Sequence, residues 1–256
     1  MLGIIAGSGL QRLTQLEHVR REIVRTPFGE PSCAVTLGEL SGVEVAFINR
    51  HGYGHTLAPH QINFRANIWA MQKIGVTNIC AVGSVGSLVE SIQPGQLVVL
   101  SDMLDYTQGR KNTYYEGPDY PIVYTDMSEP FHGATRDNLI ASGQALGIDL
   151  VQEAVYACTD GPRLETRAEV RRMVGDGADV VGMTLVPEVI LAKELALDYA
   201  AITVCTNYAA GVGQTRAHDL KQWRELRERS LERVEQLLFH WVKVQEPSPV
   251  PELVMM

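Results

Sequence analysis

Val151-Gln-Glu-Ala-Val-Tyr-Ala157, Glu165-Thr-Arg-Ala-Glu-Val-Arg-Arg-Met-Val174, Asp179-Val-Val181, Pro187-Glu-Val-Ile-Leu-Ala-Lys-Glu-Leu-Ala196 and Ala200-Ala-Ile-Thr-Val-Cys205 follow one another in the second half of the chain. The first, third and fifth are short β-branched runs, which read as strands; the second and fourth are longer and read as helices, with Val189, Ala192 and Leu195 on one inward face of the fourth. Strands that alternate with helices predict an α/β layer fold with a largely parallel or mixed central sheet.

The same alternation extends outward. Leu2 to Ala6, Val43 to Ile48, Ile79 to Val82 and Leu97 to Leu100 read as strands. Pro59 opens a helix with Ile62, Ala66, Trp69 and Ala70 spaced for one buried face and Gly75 just past its end. A last helix, from about Asp219 to Val244, carries Leu220, Trp223, Val234, Leu237, Leu238 and Trp241 at helical spacing. The segment from Asp105 to Asp126 fits neither period. A loop this long in a compact domain is usually functional.

The chain has 256 residues and no Ser/Gly-rich or Pro-rich linker, which predicts a single domain over 1–245. The Pro-rich segment 246–256 reads as an extended, flexible tail. Hydrophobic residues make up 45% of the chain, enough for a large core. A net charge of −8 argues against a nucleic-acid surface, because phosphate contacts need clustered Lys and Arg. Arg20-Arg21 and Arg171-Arg172 read as solvated faces.

No apolar run reaches the roughly 18 residues of a membrane span. The amino terminus shows no basic region followed by a cleavable hydrophobic stretch, so the expected location is the cytoplasm. Cys33, Cys80, Cys158 and Cys205 form no Cys-x-x-Cys pair and read as buried thiols. No histidine clusters with them, so no metal site is expected.

Three ordered pieces carry chemistry: Gly161-Pro-Arg-Leu-Glu-Thr-Arg-Ala-Glu169, Val181-Gly-Met-Thr-Leu-Val-Pro-Glu188 and Thr206-Asn-Tyr208. In an α/β fold ligands sit outside the carboxyl ends of the strands, which is where these pieces fall. They bring a carboxylate, Glu165, and an amide, Asn207, to one sheet edge. A carboxylate accepts hydrogen bonds and an amide both donates and accepts, so together they complement a 6-oxopurine. Taken singly, Glu165 reads as an acid at a helix start and Asn207 as a turn residue.

This set resembles the purine nucleoside phosphorylase and methylthioadenosine phosphorylase family. Gly7-Ser-Gly-Leu10, Asn49-Arg-His51, Ala81-Val-Gly-Ser-Val-Gly-Ser-Leu88 and Ile92-Gln-Pro-Gly95 stand in the family's order as well, so the likeness covers roughly residues 2 to 210. It implies the phosphorylase fold and phosphorolysis of a nucleoside, with inorganic phosphate as co-substrate and no cofactor. It also implies a homotrimer or a dimer of trimers.

Phosphate would be held at Gly7-Ser8-Gly9, where backbone N–H groups and the Ser8 hydroxyl can approach an anion. Arg50 would supply a bidentate charged contact and His51 a further donor. Thr184 completes that ring in the family pattern. The Gly7-x-Gly9 run is no dinucleotide fingerprint, because Arg12 occupies the third glycine position.

By the same resemblance a loop at Gly83-Ser84 lies between phosphate and sugar, and Met183 packs under the ribose. Glu165, Leu164, Asn207 and Ala209 meet the base, while His218 and Leu220 lie near the 5′ substituent. A neighbouring subunit would lend Tyr124, which precedes Met127-Ser-Glu-Pro-Phe131. Adenine-directed members carry a serine where this chain has Glu165, and aspartates where it has Asn207 and Ala209. The residues here therefore favour a 6-oxopurine, and the overall pattern resembles the methylthioinosine-directed branch. The alternatives are a methylthioadenosine phosphorylase, a non-catalytic nucleoside binder and a nucleoside hydrolase.

Overall fold

The computed structural model describes residues 1–249 apart from 8, 9, 11, 12, 14, 119 and 214–219, and gives the backbone alone for 220–225 and 227. The strands are β1 (Leu2–Ala6), β2 (Glu17–Glu22), β3 (Val35–Leu40), β4 (Val43–Asn49), β5 (Asn78–Ser87), β6 (Leu97–Val99), β7 (Asp102–Asp105), β8 (Leu150–Val151), β9 (Val155–Cys158), β10 (Val180–Gly182) and β11 (Asp198–Tyr208). The helices are α1 (Phe64–Lys73), α2 (Ala134–Ala145), α3 (Arg167–Gly175), α4 (Glu188–Glu194) and α5 (Leu220–Val244).

All described strands join one mixed sheet whose hub is β5. It pairs in parallel with β1 on one side and with β11 along nearly its whole length on the other, and its last residues pair antiparallel with β10. The expected α/β architecture, a mixed central sheet flanked by helices, is therefore what the chain adopts.

Both faces of the sheet are covered, which explains why its central strands are apolar runs rather than alternations. Ile5, Ile48, Ile79 and Ala81 point to a core shared with Ile68 and Met71 of α1 and Val189 and Ala192 of α4. Ile4, Phe47, Cys80 and Ile202 point the other way, against Val234, Leu237, Leu238 and Trp241 of α5 and Leu139 of α2.

Several expectations change. The run that reads as one strand over 151–157 is broken: β8 pairs with β6, while β9 pairs with β7 and β10. Between the two strands Arg136 donates to the Gln152 carbonyl and the Glu153 carboxylate. The strand expected to stop at Val82 continues to Ser87, because β11 pairs with it through Gly83 and Ser84. Those two residues thus lie inside a strand rather than in a loop. The helix expected from Glu165 starts at Arg167, and β2, β3, β7 and α2 have no counterpart among the expected elements.

The expected long loop is there, since none of the described residues from 106 to 133 joins a helix or strand. Of the proline-rich tail, the described part runs without regular structure, and Ser248 exchanges two hydrogen bonds with the Asn78 side chain. No helix among the described residues is long and apolar enough to cross a membrane.

Candidate active site

Six chain segments deliver residues to the carboxyl edge of the sheet, where they line one cavity of about 670 Å³. Gly7 follows β1, His51 follows β4, and Gly83 and Ser84 lie in β5. Met183 and Thr184 follow β10, Leu164 and Glu165 precede α3, and Asn207 and Ala209 end β11 or follow it. The antiparallel register that sets Val181 opposite Gly86 turns Met183 and Thr184 back beside the middle of β5. A register shift between Cys205 and Asn207 re-aims the end of β11, a common role for a bulge beside a site.

Glu165 stands free of helix capping. Thr166 is the N-cap of α3, and its hydroxyl accepts from the Glu169 N–H while the Glu169 carboxylate accepts from the Thr166 N–H. With the helix start satisfied by that reciprocal pair, Glu165 is left to face the cavity. Its Oε1 accepts from the Thr159 hydroxyl at 2.7 Å. The Asn207 amide is oriented by the Thr206 hydroxyl, which donates to Oδ1 at 2.9 Å, and by its own Nδ2–H bond to the Tyr208 carbonyl at 3.0 Å.

Arg50 differs most from its expected role. It is fully buried and does not line the cavity. Its Nε and Nη2 clasp the two oxygens of Glu188 at 2.6 and 2.7 Å, and Nη1 donates to the Val82 carbonyl at 3.0 Å. The bidentate face expected to meet phosphate is therefore taken by a carboxylate. Of the five guanidinium N–H groups, one on each Nη is left. Nη1 comes 2.9 Å from where a Cβ on Gly7 would stand, so only a glycine fits above it.

Burial opposes the charge on Arg50, but the Glu188 charge and hydrogen bonds outweigh it and hold the guanidinium above its ordinary pKa. The Tyr199 hydroxyl adds a third bond to this buried carboxylate, at 2.7 Å from Oε1.

His51 also changes role. Burial pushes its pKa down to about 4, with Arg50 and His55 acting in the same direction against the Leu57 carbonyl. Nδ1 lies 2.8 Å from that carbonyl, which can only accept, so Nδ1 carries the hydrogen of the neutral ring. Nε2 is then a lone pair. His51 is built to receive a hydrogen rather than to give one.

Tyr156 joins the site without any signal in its own segment. Its hydroxyl accepts from the backbone N–H groups of Thr184 and Leu185 at 3.1 and 3.4 Å, so the hydroxyl is the donor that Thr184 has left for a ligand. A Cβ on Gly182 would come within 2.6 Å of that hydroxyl. Gly83 is different: a Cβ there would meet only ordinary contacts, at 3.5 Å or more, so nothing in the fold demands its lack of a side chain.

Ser8 and His218 lie outside the described residues, as does the side chain of Leu220, whose backbone begins α5. Tyr124 is 90% exposed and does not line its own chain's cavity. Among the described residues no group of three His, Cys, Asp or Glu side chains is placed to hold a metal ion.

The cavity at this sheet edge thus joins Gly7, His51 and Thr184 to an acid, Glu165, and an amide, Asn207. The chain belongs to the phosphorylase superfamily, which it matches over residues 1–243. It is 42% identical over 216 residues to a probable S-methyl-5′-thioinosine phosphorylase of Thermodesulfovibrio yellowstonii, covering 83% of this chain and 79% of the relative. It is 43% identical to the 6-oxopurine nucleoside phosphorylase of Pyrococcus furiosus, covering 82% and 80%. Among solved structures, the methylthioadenosine phosphorylase of Schistosoma mansoni in complex with adenine superposes with a TM-score of 0.89 at 34% identity, covering 95% of this chain and 91% of that one.

Proposed function

We propose that this protein cleaves 6-oxopurine nucleosides by phosphorolysis, with S-methyl-5′-thioinosine as the preferred substrate and inosine and guanosine as further ones. The reading is carried by one observation: Glu165 and Asn207 line the same cavity as Gly7, His51, Gly83, Ser84 and Thr184. The relatives named for 6-oxopurine nucleosides and for methylthioinosine support the same class.

Phosphate sits between β1, β4 and β5, above the buried Arg50–Glu188 pair. Because Glu188 neutralises the guanidinium, the anion is held chiefly by N–H and hydroxyl dipoles rather than by a free cation. His51 Nε2 accepts a hydrogen from a monohydrogen phosphate and turns its charged oxygens toward the sugar. Phosphate then bonds to the anomeric carbon as the bond to the purine nitrogen breaks, through a sugar with oxocarbenium character. The electron pair leaves with the purine. Glu165 takes the ring N–H of the base, and Asn207 stabilises the leaving anion at its imidazole side, contacts that strengthen as the charge develops.

An aspartate at 207 suits the exocyclic amine of adenine and opposes a 6-oxo group, a buried mismatch that can reach about 10⁴-fold. The reaction needs no cofactor or metal. Three copies of the chain assemble, each lending Tyr124 to the sugar pocket of the next.

The test is purine release from methylthioinosine, inosine, guanosine and methylthioadenosine, each with and without phosphate. Release from the oxopurine nucleosides only when phosphate is present is expected. Phosphate-independent release would mean a hydrolase, and a preference for methylthioadenosine would overturn the assignment of the base. Asn207→Asp is expected to shift preference toward adenine nucleosides, and Asn207→Ala to lose most turnover.

A further inference from the structure

We propose that Thr159 is a positioning residue for base selection: its hydroxyl aims the Glu165 carboxylate, and Arg110 holds Thr159 in place to do so. The inference rests on the reading of Glu165 as the base-binding carboxylate. Glu165 lies on the segment between β9 and the N-cap of α3, where no regular structure fixes its long side chain. The Thr159 hydroxyl, at 2.7 Å from Oε1, supplies the missing restraint. It occupies one acceptor position on one oxygen and leaves Oε2 whole for the substrate.

Thr159 is itself pinned from outside its own segment. Arg110, from the long loop after β7, donates through Nη2 to the carbonyls of Thr159 and Asp160 at 3.3 and 3.1 Å. Its Nη1 donates to the Val186 carbonyl at 2.5 Å, in the segment that carries Met183 and Thr184. Nε stands 3.3 Å from an Asp160 carboxylate oxygen, an ion pair without hydrogen-bond alignment.

The guanidinium lies over the Phe64 ring at 5.3 Å, and its side chain is only 8% exposed. One buried cation therefore ties the base segment to the sugar and phosphate segment. The loop that delivers it becomes part of base recognition without touching the base. Arg is the residue suited to this place, because a rigid fork can reach three carbonyls that a single ammonium cannot.

The test is a double-mutant cycle on inosine phosphorolysis, run as single turnovers with enzyme in excess so that slow variants stay measurable. Thr159→Val keeps the shape and removes the hydroxyl. It is expected to lower kcat/KM for inosine about tenfold through the nucleoside term, as loss of a hydrogen bond to a charged group does, with the phosphate KM unchanged. Thr159→Ser is expected to restore it.

In a Glu165→Ala background, Thr159→Val should change nothing further. A loss that persists in that background would make Thr159 merely structural, and no loss in the parent protein would refute the proposal outright. Arg110→Lys is expected to lower inosine kcat/KM in the parent and not in the Glu165→Ala protein; an unchanged parent value would remove Arg110 from the relay. If Glu165→Ala alone leaves inosine kcat/KM intact, the reading of Glu165 fails, whatever Thr159 does.

Discussion

At the residue scale, the side chains that face the cavity and those that hold them there are unequally visible in the sequence. Glu165, Asn207, Met183 and Thr184 sit beside strand ends in short ordered motifs, and the fold brings them to one cavity. Glu188, Arg110 and Tyr156 act through partners far off in the chain, which no local pattern exposes, while Thr159 acts through Glu165 only six residues on. The one signal for Glu188 is an acid inside the apolar run Leu185-Val-Pro-Glu-Val-Ile190, where a buried charge demands a partner.

Breaking that pair leaves a buried guanidinium uncompensated. Glu188→Gln is expected to cost about 3–5 kcal/mol by urea denaturation. Replacing both partners, Arg50→Met with Glu188→Leu, should cost much less than the single change while abolishing phosphorolysis. Equal losses for the single and double variants would show that the pair is not coupled.

His51 gives a pH dependence of definite sign. Its pKa is about 4 in the folded chain, against about 6.5 when unfolded. As pH falls from 6.5 toward 4 the unfolded chain takes up a proton that the folded one refuses, so stability is lost. His51→Asn lacks this step. Its stability relative to the parent should therefore rise across that window, and a difference that stays constant from pH 7 to 4 would show that His51 is not held neutral.

At the element scale, legibility follows burial. The central strands and the faces of α1 and α4 are apolar, so their periodicity shows that they exist but not where they end: the helix expected from Pro59 begins at Phe64 after a separate 3-10 turn over Pro59–Gln61, and the strand expected over 200–205 runs from Asp198 to Tyr208. Among the elements that periodicity misses, β3 is mostly buried but short and interrupted by Gly38 and Glu39, whereas β2 and α2 draw their stability from elsewhere. β2 is exposed at every residue and exists only as the edge partner of β3. α2 carries few apolar residues, and is held by Asp198 on the Thr135 N–H and by the buried Arg136 on the Leu100 carbonyl.

Helix α3 shows the reverse case, where a local signal decides a functional boundary. Its Thr166–Glu169 capping box starts the helix two residues after Glu165 and so keeps Glu165 out of it. Thr166→Ala is expected to cost about 1 kcal/mol, a fall of roughly 2–4 °C in Tm for a chain of this size. Because the cap adjoins the base segment, the nucleoside KM should rise while the phosphate KM does not. An unchanged Tm would mean that the cap contributes nothing.

At the scale of the whole molecule, the sheet hub of β5 and β11 explains why residues scattered from Gly7 to Ala209 meet at one edge, but a single copy leaves large apolar side chains uncovered. Ile122 and Tyr124 are 79% and 90% exposed, and Leu164, which lines the cavity, is 73% exposed. Exposed apolar groups of this size, close together in the chain or beside a ligand site, mark surface that another molecule covers. The proposed trimer would do so with the chain's own copies. Sedimentation is expected to give a particle of about three or six times the 28.2 kDa chain mass. Tyr124→Ala should raise the nucleoside KM roughly tenfold, as loss of an aromatic anchor does, with little change in the phosphate KM. A fully active monomer would refute the shared site, and would require each chain to close its sugar pocket with residues of its own.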